Sequence, residues 1–180
     1  MVRKLKHHEK KLLKKFDFIN WKSDNNLHEL KILSKYYIQR REDYTTYNKL
    51  SRDIRTIAEK LKELPEDDEF RGEMVRLLLA KLHNMGLVPT KASLLLATKV
   101  SASAFCRRRL PVVMTRSHMA ENLKAAVTFV EQAHVRVGTE VMRDPAFLVT
   151  RNMEDFIQWS HNSKIKQKID SYNCEGDDFE

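Results

Sequence analysis

The chain has 180 residues, with 33 Lys plus Arg against 25 Asp plus Glu and a formal net charge of +8. That length suits one medium-sized domain, or a small module set into a larger helical body. The basic balance favours a polyanionic partner but leaves the fold open. Only 4 Gly and 4 Pro occur, so long uninterrupted helices are expected. Cys106 and Cys174 stand alone, without a CxxC or CxxH partner, which argues against a disulfide framework or zinc site and fits a reducing compartment. No apolar run approaches the roughly 20 residues of a membrane span. The start is too cationic and interrupted for a signal peptide. A soluble intracellular protein with no membrane partner is expected.

In chain order, residues 1–26 read as a basic arm. Arg3, Lys4, Lys6, Lys10, Lys11, Lys14 and Lys15 face the single acid Glu9, over a thin apolar stripe of Leu5, Leu12, Leu13 and Phe16. Such an arm grips phosphate and can serve as a nuclear or nucleolar address. Residues 27–106 read as a helical body. Its first part mixes Tyr36, Tyr37, Tyr44 and Tyr47 with Arg40 and Arg41. Interleaved aromatics and bases can stack on unpaired bases, but the helical spacing favours packing for the tyrosines. Ile54, Ile57, Ala58, Leu61 and Leu64 follow a helical period ended by Pro65. Phe70, Met74, Leu77, Leu78, Leu82 and Met85 repeat it, closed by Gly86. These predict an antiparallel helical hairpin. Thr90 and Ser101 are N-cap candidates for short helices over 91–99 and 102–108.

Residues 107–152 read as a small module. Three arginines, Arg107, Arg108 and Arg109, open it and are expected at the surface, because three consecutive guanidinium groups are hard to bury together. A helix over 119–132 buries Leu123, Ala126, Val127 and Val130. The period then switches to two, with Val135 and Val137 opposite His134 and Arg136. Gly138-Thr139 is a hairpin turn into Glu140–Met142, and Asp144-Pro145 turns the chain again. A last helix is predicted over 153–170, burying Phe156, Ile157 and Trp159, before a disordered acidic tail at 171–180. The whole predicts a mostly helical α+β protein.

Catalytic patterns are missing from the sequence. It has no Gly-rich phosphate loop, GxSxG or HExxH. His7-His8-Glu9 lacks a third metal ligand, and Cys106 lacks a base, so neither a cofactor nor enzymatic activity is expected.

Arg109-Leu110, Met119-Ala120, Ala126, His134-Val135-Arg136-Val137-Gly138 and Asp144-Pro145 through Val149 together resemble the S-four RNA-binding domain, a helix-helix-β-hairpin module. Val2-Arg3-Lys4-Leu5-Lys6, Leu27-His28-Glu29-Leu30, Arg41-Glu42-Asp43-Tyr44, Phe105 through Pro111 and Met153-Glu154-Asp155-Phe156 extend the resemblance to the Imp-three family of U3 small nucleolar ribonucleoprotein subunits, over nearly the entire chain. The resemblance implies a nucleolar RNA-binding assembly factor of the small-subunit processome. Its implied partners are U3 small nucleolar RNA, the ribosomal RNA precursor, the M-phase phosphoprotein-ten scaffold and companion subunits. Related ribosomal modules carry arginines where this helix has Val127 and Glu131, which implies a weaker phosphate grip or a protein contact on that face. The expected RNA-binding set is therefore Arg107, Arg108, Arg109, Arg116, His118, Lys124, His134, Arg136 and Arg143, beside the arm.

Overall fold

In a computed structural model, residues 3–15 and 23–177 are described, in two compact units split after Lys35. The split falls inside the stretch 27–106 expected as one helical body. The first unit holds α1 (His7–Lys15) and α2 (Ser23–Lys35). Glu9 starts α1 by accepting the Lys6 backbone N–H at 2.8 Å and pairing with Arg3 at 2.5 Å, as one arm of a capping box does. Lys4, Lys6, Lys10 and Lys11 are exposed. Phe16, the side chains of Lys14 and Lys15, and residues 178–180 of the expected tail lie outside the described residues.

The second unit begins with α3 (Arg41–Glu63) and α4 (Glu69–Asn84), the expected hairpin, with α3 starting well before Ile54. Tyr44, Tyr47, Ser51, Ala58 and Leu61 give α3 its buried face. Pro65 holds Leu64 in an extended conformation and stops the helix. The Asp68 carboxylate caps α4 by accepting Phe70 N–H at 3.0 Å. Gly86 ends α4 at φ +73°, while Leu87 N–H donates to Leu82 O and Gly86 N–H to His83 O, the Schellman pattern. Two short helices follow, α5 (Leu95–Thr98) and α6 (Ala102–Cys106). The cap before α5 is Ser93, whose Oγ accepts Leu95 N–H at 3.2 Å, and Ser101 makes no side-chain cap.

The module consists of α7 (Leu110–Arg116), α8 (Leu123–Glu131) and a three-stranded antiparallel sheet. Central β1 (Val135–Val137) pairs with β2 (Glu140–Met142) on one side and β3 (Ile157–Trp159) on the other. Leu110, Val113, Met114, Ala126, Val130, Val135 and Val149 form its core, with Phe129 edge-on to Trp159. The helix expected from Met153 is instead a 3-10 turn over Arg151–Phe156, leading into β3. Phe156 is exposed, while Ile157 is buried against Val137. The free edge of β1 takes a partner, and a strand supplies the backbone bonds that a helix would withhold. The last helix, α9, is Lys164–Asp177. Ser163 Oγ caps it by accepting Ile165 N–H at 3.2 Å. Helix therefore continues through the stretch from Ser171 to Asp177 that was expected to be disordered.

Helices α7 and α8 end alike. His118 (φ +59°) and Ala133 (φ +60°) occupy the left-handed position usually given to glycine. Met119 N–H donates to Met114 O, and His134 N–H to Phe129 O, both at 3.0 Å. Satisfying the last carbonyls offsets the cost of a left-handed Ala. Two opposite changes follow. A Cβ at Gly86 would lie 2.7 Å from Arg108 Cζ, so Gly86→Ala should lose about 2 kcal/mol or more in urea unfolding. Ala133→Gly removes strain and should shift stability by no worse than about −0.5 kcal/mol, with a gain of up to about 1 kcal/mol expected.

Candidate nucleic-acid interface

Between Cys106 and Leu110 the chain passes from body to module, and its three arginines diverge. Arg107 follows α6 and is exposed. Arg108 turns inward to 6% exposure. Its Nε and Nη2 donate to Val149 O at 2.9 and 2.7 Å, and Nη1 pairs with Glu154. The guanidinium lies over Gly86, where a side chain would displace it. Arg109, at 3% exposure, donates from Nη1 to Asp43 Oδ2 at 2.8 Å and to Tyr47 OH at 3.3 Å. The expectation that all three sit at the surface is therefore corrected to Arg107 alone. The other two are buried because each finds acceptors, Arg108 within the module and Arg109 on α3, which is what a buried cation requires. Neither guanidinium is left to meet phosphate.

The same junction explains the tyrosines. Tyr47 stacks on Phe105 with 5.7 Å between ring centroids and 4° between planes. Its hydroxyl donates to Ala146 O at 3.4 Å and accepts from Arg109. Burial raises the Tyr47 pKa, against the lowering influence of Arg109. Tyr44 is buried too. Both pack, as the helical spacing favoured. Burial also lifts the Cys106 thiol to about 11, outweighing the lowering influence of Arg109 and Arg107. Cys106 is a buried core thiol, held protonated at neutral pH.

The remaining residues of the expected set divide by exposure. Arg116, His118, Lys124 and Arg143 are exposed. Arg116 ends α7, His118 is fixed by the backbone turn beyond it, and Lys124 stands in the first turn of α8. Arg143 follows β2 on the rim of a shallow cleft of about 280 Å³, which Arg40, Asp43, Glu131 and Asp144 also line. Arg40 was legible only as one base among the tyrosines, and the fold brings it beside Arg143. His134 is half-buried, with Nδ1 3.1 Å from Ser163 Oγ and its ring edge-on to Phe129. Arg136 is half-buried in the sheet, donating to Gln158 Oε1 at 2.6 Å. These two have protein partners, so they support the sheet and the start of α9.

Val127 is 2% exposed. It packs in the core and cannot be a contact face, which corrects the expectation for the Val127/Glu131 surface. Glu131 alone reaches solvent, at the cleft. Among the described residues, no group of three His, Cys, Asp or Glu could hold a metal ion. Nor is any helix long and apolar enough to cross a membrane. The exposed cations Arg107, Arg116, Lys124 and Arg143, with His118 beside them in the sequence, can offer charge and hydrogen bonds to phosphate oxygens, but they supply no nucleophile with an adjacent base.

Residues 4–107 match the family "Ribosomal protein S4/S9 N-terminal domain", and residues 108–155 match "S4 domain". The chain is 59% identical to the human U3 small nucleolar ribonucleoprotein protein IMP3, covering 100% of this chain and 98% of that one. Identity to the Saccharomyces cerevisiae protein of the same name is 53%, covering 100% and 99%. A more distant relative is the small ribosomal subunit protein uS4 of Hyperthermus butylicus, 25% identical over 82% of this chain and 83% of that one. The names of these relatives are those of ribonucleoprotein and ribosomal subunit proteins.

The two classes of arginine should separate in the test tube. Arg109→Ala leaves the Asp43 carboxylate unpaired and should cost on the order of 3 kcal/mol in urea unfolding, whereas Arg107→Ala should leave stability within about 0.5 kcal/mol. The Cys106 thiol gives a pH signature. Its folded pKa of about 11 lies above the ordinary thiol value of 9.0, so the unfolded chain loses the proton first as pH rises. Stability present below pH 9 should fall between about pH 9 and 11. Cys106→Ala should flatten that fall, as seen in thermal melts across the range.

Proposed function

Because this chain belongs to the family of U3 small nucleolar ribonucleoprotein IMP3 proteins, we propose that it is an RNA-binding assembly factor of the U3 particle, acting in small ribosomal subunit biogenesis in the nucleolus. In this reading it stabilises pairing between U3 small nucleolar RNA and the ribosomal RNA precursor. The observation that carries it is the set of exposed side chains Arg107, Arg116, His118, Lys124 and Arg143 on an S4 module. The basic arm of Arg3, Lys4, Lys6, Lys10, Lys11, Lys14 and Lys15 adds charge. On the same family ground, the M-phase phosphoprotein-ten scaffold and its companion processome subunits are the proposed protein partners.

The mechanism is electrostatic. Two RNA strands must approach to pair, and their phosphates repel. A cationic surface that meets both strands lowers that repulsion without any nucleotide hydrolysis, and it holds a short duplex that would otherwise separate. Arginine suits the task because its planar fork takes two phosphate oxygens.

If about five phosphates are engaged, the log-log salt slope of binding should be roughly −3.5 to −4.5. Replacing Arg107, Arg116, Lys124 and Arg143 by Ala together should reduce the slope by about 3 and weaken binding evenly across sequences. The direct test is an annealing assay with U3 and precursor RNA segments. The chain should accelerate duplex formation, and the fourfold variant should lose most of that gain. An unchanged annealing rate with the parent chain would reject the pairing role. Protein partners that stay bound after nuclease treatment, together with no acceleration, would favour a mainly scaffolding subunit.

A further inference from the structure

At the edge of the sheet, β3 and α9 leave a cleft of about 360 Å³ between them, within the range of about 300–1,000 Å³ that holds small ligands. Along β3, Ile157 and Trp159 face the core side and Gln158 the outer side, so this edge offers both an apolar wall and a polar one. Phe129 meets the Trp159 indole edge-on at 5.6 Å and fixes it, while the half-buried ring still lines the cleft. From the other side α9 contributes Lys166, Ile169 and Asp170. Arg136 lines the cleft too, with its guanidinium held by Gln158 Oε1 at 2.6 Å and Gly138 O at 3.4 Å. Lys166 Nζ stands 3.0 Å from His161 Nδ1, and an ammonium has three donors, so two remain. Exposed Lys164, Lys168 and Arg116 flank the lining, against exposed Glu121 and Asp155, so the surround stays cationic.

We propose that this cleft takes one unpaired nucleotide of an RNA strand, its base stacked on Trp159 and its phosphate met by Arg136 and Lys166. The inference rests on the RNA-binding reading above and adds to it a site for single-stranded RNA. A duplex is too wide to enter. An apolar peptide side chain would cover Trp159 but leave two cations and Asp170 without partners. A bare phosphate would make no use of the indole and would meet Asp170. An unpaired nucleotide answers each group in turn. Its ring suits Trp159 and Ile169, its phosphate suits the cations, and its base-edge N–H and carbonyl groups suit Asp170 and the Gln158 amide. The bonds by which Arg136 supports the sheet also fix its guanidinium in place before RNA arrives, which lowers the entropy lost on binding.

The test uses the full chain carrying Trp21→Phe, which leaves Trp159 as its only tryptophan. Binding is followed by anisotropy of labelled RNA and stacking by Trp159 emission. A short single-stranded RNA of mixed sequence should quench that emission by about half or more, whereas a duplex of equal length should bind with little quenching. Trp159→Leu should weaken single-strand affinity about tenfold, and Trp159→Phe, which keeps a flat ring, should stay within about threefold of the parent. Lys166→Gln lies outside the sheet and should weaken single-strand binding about threefold even if the leucine variant fails to fold. A bound single strand with unchanged Trp159 emission would overturn the inference and leave the RNA reading standing. Failure to bind any RNA would overturn both. Quenching by a mixture of nucleoside monophosphates at the same concentration as the strand would assign the cleft to a free nucleotide and overturn the inference. So would a photoreactive group at Ile169 that crosslinks to protein rather than RNA in the assembled particle.

Discussion

Two buried guanidinium groups hold this molecule together. Arg108 and Arg109 occupy the turn between helical body and module, and between them they close contacts on both sides. Arg109 reaches Asp43 and Tyr47 on α3. Arg108 reaches Val149 and Glu154 in the connection from β2 to β3, and it lies over Gly86 at the end of α4. A buried charge is costly alone, but here it is matched by an acid and further acceptors, and removing either partner leaves the other exposed to the full desolvation cost. The backbone adds to the clamp, since Val149 N–H donates to Arg108 O and Leu110 N–H to Phe147 O. The module is thereby set on the body as a fixed platform.

That rigidity is what gives the surface cations their meaning. Long basic side chains on a mobile loop lose entropy when they grip phosphate. Here their backbones are set beforehand by α7, α8, the sheet and the paired left-handed turns at His118 and Ala133. The arginines of one short run thus divide their labour. Two build the platform, and Arg107 stays outside with Arg116, Lys124 and Arg143, the set proposed to face RNA.

Much of this was legible in the residues. The periodic apolar positions of α3, α4 and α8 and the period-two switch at Val135 mark their elements, although Ile57, Phe70 and Leu77 of that pattern stand exposed. The Asp144-Pro145 turn and the Gly86 stop follow from backbone preference. Other features depend on contacts between distant segments. Nothing local distinguishes Arg107 from Arg109; the difference is Asp43, 66 residues away. Helix α7 hides behind Pro111, which reads as a breaker but sits in the first turn, where proline is tolerated. Strand β3 is only Ile157–Trp159, too short to outweigh the apolar positions that suggested a helix. Val127 reads as a lost cation when compared with ribosomal modules, although in this fold it faces the core.

The central claim, that a fixed module presents Arg107, Arg116, Lys124 and Arg143 to RNA while Arg108 and Arg109 stay inside, is tested most directly by ultraviolet crosslinking of the chain to U3 RNA, with the adducts located by mass spectrometry. Adducts should fall on peptides around Arg107, along Arg116–Lys124 and at Arg143, with α4 left clean. Adducts concentrated on α4, and none on the module, would contradict the account.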